Sequence, residues 1–199
     1  MKKIIVLFVF ILAYNLYPNL YAFTGVVSFE TENFEAGEKS GITCYIKSPY
    51  CKMEIQSTTK EGNASYTLYF NDGNADLIMV SGGTRLVVPM TNVPVNKYLE
   101  NILVALPTAK SQMVAGYTTQ EVNLKTTNST IQCWVAAEVN IQFPLMLNNR
   151  GILYALKENS IVGTPLEIHA KDLSGKPVFS QKIISIQPQE LSDAIFMAE

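Results

Sequence analysis

The sequence predicts a mainly β protein of the α+β type: a curled antiparallel sheet, or incomplete β-barrel, of about ten strands wrapping one main amphipathic helix at residues 94–106. Three observations point there. From Phe23 onward the dominant hydrophobic period is two, the signature of half-buried strands. Turn residues such as Ser48-Pro49, Asn71-Asp72-Gly73-Asn74 and Ser81-Gly82-Gly83 separate the short runs, as in a meander. Beyond the first 22 residues, one stretch switches to a helical period, between Pro94 and Pro107.

The elements follow in order. Residues 1–22 carry a basic tip at Lys2-Lys3, an apolar run from Ile4 to Tyr14 and a small residue at Ala22. These are the parts of a secretory signal peptide cut near Ala22. The run is shorter than the roughly 20 residues needed to span a bilayer. The first strand is expected from Phe23 to Thr31. Ile42–Ile46 and Cys51–Gln56 form a pair around Ser48-Pro49, and Tyr66–Phe70 follows the Lys60–Asn63 turn. Leu77–Val80 and Arg85–Pro89 complete the first meander.

In residues 94–106, Val95, Tyr98, Leu99, Ile102, Leu103 and Leu106 fall on one helical face opposite Asn96, Lys97, Glu100 and Asn101. Pro94 suits a first turn and Pro107 forces an exit. Strands resume at Tyr117–Thr126 and Thr130–Val139, joined at Thr127-Asn128-Ser129. Residues 142–159 fit more than one state. Within them, Leu145-Met146-Leu147 followed by Asn148-Asn149-Arg150-Gly151 fits a helical turn capped by glycine. Leu166–Lys171 and Val178–Ile186 form a last hairpin, and the tail from Gln189 to Phe196 has room for one helical turn. With no repeat or linker, residues 23–199 read as a single domain.

Composition narrows the function classes. The leader holds two Lys and no acid, leaving 13 basic against 17 acidic side chains in the mature chain. Basic residues neither cluster nor alternate with aromatics, so no nucleic-acid surface is expected. No second apolar run is long enough to span a bilayer, and no lipid-acceptor cysteine follows Ala22. The expected location is periplasmic or secreted.

The mature chain keeps Cys44, Cys51 and Cys133. In an oxidising compartment two of three pair. Cys44–Cys51 is the candidate disulfide, because a short turn at Lys47-Ser48-Pro49 sets the two opposite each other on neighbouring strands. Three buried free thiols are the alternative.

Catalytic chemistry finds little support. His169 is the single histidine, so a Ser-His-Asp or Cys-His scheme must use it. Ser57-Thr58-Thr59-Lys60 matches Ser-x-x-Lys, but it lies in a strand-to-turn stretch where that motif needs a helix start. The cysteine spacing has no Cys-x-x-Cys knuckle for zinc. Asp72 and Asp76 belong to a Gly/Asn turn, and Ser81-Gly82-Gly83 is no phosphate loop. The expectation is a non-enzyme with no cofactor or metal.

One large sheet leaves an apolar face that a single helix covers only in part, so it must curl and form a pocket. Tyr66, Leu68, Phe70, Leu77, Met79, Leu86, Val88, Tyr98, Leu99 and Ile102 are the candidate lining of that cavity; dense core packing is their competing role.

Several segments carry a resemblance: Phe23–Phe29, Tyr45-Ile46-Lys47 with Lys52-Met53-Glu54, and Ala115-Gly116-Tyr117 with Gln132-Cys133-Trp134-Val135. Gly163–Leu166 and Leu191–Phe196 complete it. Together they resemble the secreted bacterial family called domain of unknown function 4412, and that family is similar in fold to LolA-type periplasmic lipoprotein carriers. The resemblance implies a curled sheet with a helical lid over an apolar cavity, and it supplies no catalytic residue. Two functions follow as expectations. One is a periplasmic binding or carrier protein for a hydrophobic ligand, a lipid or acylated protein. The other is a structural or interaction protein of the cell envelope with a filled core.

Overall fold

The computed structural model describes residues 23–71, 76–89, 96–141 and 151–197. The expected leader at 1–22 lies outside the described residues. Two meanders build the molecule. The first comprises β1 (Thr24–Asn33), β2 (Glu38–Lys47), β3 (Tyr50–Thr59), β4 (Gly62–Asn71), β5 (Asp76–Ser81) and β6 (Thr84–Pro89). The second comprises β7 (Val104–Val114), β8 (Tyr117–Lys125), β9 (Ser129–Ala136), β10 (Thr164–Asp172) and β11 (Pro177–Pro188). A short helix, α1 (Ile152–Glu158), lies between β9 and β10, and a 3-10 turn at Asp193–Phe196 follows β11. Pairing of β1 with β11 fuses the meanders into one antiparallel sheet of eleven strands, ordered β6-β5-β4-β3-β2-β1-β11-β10-β9-β8-β7.

The sheet is open, with β6 and β7 at its edges. Its curl follows from chain length. A flat eleven-stranded sheet would hold its edges about 48 Å apart at the usual strand spacing. Pro89 ends β6 and Val104 starts β7, fifteen residues later, and a fully extended chain of that length reaches about 50–54 Å. Part of that length is spent in turns at 97–101, so the edges approach each other. Register shifts at Ser28/Phe29, Pro107/Ser111 and Pro165/Glu167 supply local bends.

The expected helix at 94–106 is corrected. Residues 94 and 95 lie outside the described residues; 96–103 are turns and irregular chain, and 104–106 begin β7. Asn96 Oδ1 accepts the Tyr98 N–H at 3.0 Å, and the Asn96 carbonyl accepts the Leu99 N–H at 2.9 Å. Asn101 then takes φ 52°, which stops a right-handed helix. From Leu103, whose N–H bonds the Lys125 carbonyl at 2.7 Å, the chain pairs with β8. A helix of about 13 residues is marginal by itself, whereas an eleven-residue strand gains a ladder on β8. Leu103 and Leu106, members of the expected stripe, are left 64 % and 60 % exposed.

Among the described residues, the helix that forms is α1. Ile152, Ala155 and Leu156 are its buried face, at the i, i+3, i+4 spacing of a one-sided helix. Gly151 directly precedes α1, and residues 145–150 of the expected turn lie outside the described residues. Glycine is required here by contact: a Cβ on residue 151 would stand 1.8 Å from the Leu99 carbonyl oxygen.

Among the described residues, two apolar clusters make the core. The first gathers Val27, Phe29, Cys44, Ile46, Met53, Ile55 and Phe70 with Leu166 and Ile183. The second packs Leu99, Ile152 and Leu156 against Val122, Leu124, Ile131, Cys133, Ile168 and Val178.

Candidate functional site: the open side of the apolar sheet face

Directly paired residues in antiparallel strands point to the same side of a sheet. The register therefore draws one apolar row across seven strands: Ile186, Val27, Cys44, Met53, Leu68, Met79, Leu86. Beside it run Ile183, Phe29, Ile42, Ile55 and Tyr66 on one flank, and Ile46, Cys51 and Phe70 on the other. Burial falls along the main row. Val27 and Cys44 are fully buried and Met53 is 3 % exposed, whereas Leu86 is 48 % exposed. Leu68 and Met79 lie between, half-buried. The face is a core at β1–β3 and opens toward solvent at β4–β6.

The ten candidate lining residues divide between the clusters. Phe70 belongs to the first, and Tyr66, Leu68, Met79 and Val88 pack against it. Leu86 sits at the open end of the row. Leu77 pairs with Val88; its side chain lies outside the described residues. Leu99 belongs to the second cluster, with Tyr98 and Ile102 against it. The expected helix at 94–106 would join these three to β4–β6, but residues 96–103 are turns and irregular chain.

Two surface clefts stand elsewhere. One, of about 450 Å³, lies where β7–β9 meet the Ile161-Val162 loop, with Lys110, Gln120 and Glu138 in its wall. The other, of about 430 Å³, runs beside Gly41 with Glu30, Lys39, Gln56, His169 and Lys182 around it. None of the ten candidates lines either cleft.

The polar groups are tied into networks. His169 Nε2 is 2.7 Å from Glu167 Oε1, and Lys182 Nζ is 3.2 Å from Oε2. Burial raises the Glu167 carboxyl, but the His169 and Lys182 hydrogen bonds and charges outweigh it and hold the group below its ordinary value. Glu121, 1 % exposed, accepts from Gln132 and from Thr108 Oγ1 at 2.7 Å, with Lys110 at 3.3 Å. Those bonds, Gln132 first, lower its pKa. Register places Ser180 opposite His169, a neighbour that sequence spacing did not reveal, although the imidazole bonds Glu167. Ser57 of the Ser-x-x-Lys match is buried on β3 and shares a 2.6 Å hydrogen bond with Ser40. Asp72 and the side chain of Asp76 lie outside the described residues. Among the described residues, no three His, Cys, Asp or Glu side chains converge on a metal position, and no helix is long and apolar enough to cross a membrane.

Cys44 and Cys51 have their Sγ atoms 3.1 Å apart as free thiols. They are diagonal rather than opposite as expected: Cys44 faces Met53, and Cys51 faces Ile46. The tight two-residue turn at Ser48-Pro49 sets Lys47 against Tyr50 and so fixes this offset.

No protein-family model matches the sequence, and no curated protein matches it either. Solved structures do share the fold. An uncharacterized conserved protein from Thermus thermophilus aligns over 88 % of this chain and 84 % of its own, at 7 % identity and TM-score 0.54. A crystal structure of MucB aligns with 88 % of this chain at 10 % identity and TM-score 0.51. The Pseudomonas aeruginosa MucA/MucB complex aligns at 9 % identity and TM-score 0.50. The chain spans 57 % and 56 % of those two structures' chains. At such identities the likeness is one of fold.

Proposed function

We propose that the protein is a non-enzymatic binding or carrier protein, exported to the periplasm or beyond, that receives a hydrophobic ligand on the open side of its sheet at β4–β6. The ligand class is an acyl chain, carried on a lipid or an acylated protein. The single observation behind this reading is the loss of burial along one continuous apolar row, from Val27 to Leu86. Apolar side chains at the outer end keep the alternation of a core without the cover of one, and an aliphatic chain laid there removes that surface from water at about 25 cal/mol per Å². The leader at residues 1–22 and the resemblance to the secreted family and to LolA-type carriers support the location and the ligand class.

Native mass spectrometry of the protein purified from its own envelope tests this. A co-purifying lipid adduct, lost on Leu86→Asp, is the expected result. A ligand-free protein that also fails to bind a hydrophobic dye refutes it.

A second reading, an envelope interaction protein with a filled core, is favoured by the complete burial of Val27, Cys44 and Ile183. It also has a precedent in fold: MucB was solved in complex with MucA. A stable protein partner captured without lipid selects that reading.

A further inference from the structure

The molecule holds one chemical feature that neither reading uses. Cys44 and Cys51 lie on adjacent strands with both sulfurs on the apolar face, 3.1 Å apart and fully enclosed. A disulfide needs its sulfurs about 2.05 Å apart, so closure asks for a shift of about 1 Å within one hairpin. Cys133 belongs to the second cluster and faces Val122 and Ile168, with no thiol across either pairing.

We propose that Cys44 and Cys51 are a cross-strand disulfide site, closed by thiol–disulfide exchange with a small-molecule or protein disulfide, and that Cys133 stays a thiol. One protein thiolate attacks the oxidant's disulfide, forming a mixed disulfide and releasing one thiolate. The second protein thiolate attacks the protein sulfur of that mixed bond and releases the other. The pair loses two electrons and two protons, and the oxidant becomes two thiols. The bond requires an oxidising compartment and does not depend on what the sheet binds.

Timing follows from burial. Hydrogen bonding to Cys51, followed by burial, holds the Cys44 thiol well above its ordinary value, and burial pushes Cys133 up to about 12. Few thiolates exist in the folded sheet, and no oxidant reaches them. Exchange therefore belongs to the folding chain, before β1 and β4 close on either side of the hairpin. Once made, the bond excludes the slip that sets Cys44 opposite Ile55, which keeps every side chain on its face but moves the sulfurs apart.

The test is oxidative refolding of residues 23–199 in a glutathione redox buffer, then acid quench, alkylation without reductant and tryptic mapping. Trypsin cuts after Lys47, so the bond holds Ser40–Lys47 to Ser48–Lys52, while Cys133 is recovered alkylated on its own peptide. The joined peptides weigh two hydrogen atoms less than the free pair. Three separately alkylated cysteines, or any bond to Cys133, overturn the proposal. As an independent readout, glutathione disulfide is expected to oxidise the unfolded chain at least tenfold faster than the reduced, folded protein; equal rates contradict the burial argument. Both measurements use the natural cysteines, so neither depends on a variant that fails to fold.

Discussion

Truncating two residues of the same row should separate a core position from an open one. Met53 and Leu86 lie on one line across β3–β6, at 3 % and 48 % exposure. Met53→Ala leaves a cavity beside Cys44 and Leu68, and buried truncations of this kind cost about 2–5 kcal/mol. Leu86→Ala removes a side chain that already meets water over half its area. Full burial of Leu is worth about 1.5–3 kcal/mol, so the half that is covered carries about 1 kcal/mol. For a domain of this size each kcal/mol moves Tm by roughly 2–4 °C. Thermal unfolding of residues 23–199, followed by circular dichroism, should therefore show a drop of roughly 4–20 °C for Met53→Ala and only a few degrees for Leu86→Ala. Equal losses would mean that Leu86 is packed as core and that the row has no open end.

Two further outcomes follow from local geometry. Gly151→Ala drives a Cβ into the Leu99 carbonyl and should cost about 1–3 kcal/mol through forced backbone shifts; Gly41→Ala, where a Cβ meets nothing within 4 Å, should be neutral or mildly stabilising in the same melts. Stability should also depend on pH through Glu167 and Glu121, whose folded pKa values are lowered from 4.5. Their contribution is fully present above the unfolded value and is lost as pH falls through the folded ones. Tm measured from pH 7 down to pH 2 should decline below about 4.5, and Glu167→Gln should flatten part of that decline while costing about 1–2 kcal/mol at pH 7. A slope unchanged in Glu167→Gln would remove Glu167 from the account.

Strand alternation was legible because each half-buried strand must repeat every two residues whatever its partners. All ten expected strands coincide with β1–β6 and β8–β11. The eleventh, β7, has no expected counterpart: residues 104–106 fall in the end of a helix expected because Tyr98, Leu99, Ile102, Leu103 and Leu106 satisfy a helical spacing, and residues 107–114 carry no expected element. Leu99 is buried in the second cluster with Ile152 and Leu156 of α1, whereas Leu103 and Leu106 face solvent. Nothing local distinguishes these cases; the outcome depends on β8, whose Lys125 carbonyl receives Leu103. Helix α1 escaped notice inside residues 142–159, since seven residues give too few turns for a period to show. Register was the other hidden quantity. Composition pointed to Leu68, Met79 and Leu86 as apolar, but only strand pairing reveals that they continue the row of Val27 and Met53 toward solvent. Likewise the Ser48-Pro49 turn announced a hairpin, while the diagonal offset of Cys44 and Cys51 came from the length of that turn.

The most direct test of an open apolar acceptor is photo-crosslinking with a diazirine-bearing fatty acid, followed by peptide mapping. The label is expected on β4–β6, at Leu68, Met79, Leu86 or Val88, and should be displaced by unmodified fatty acid. Label spread over the polar clefts at Lys110 or His169, or no displaceable label at all, would contradict a hydrophobic site on this face.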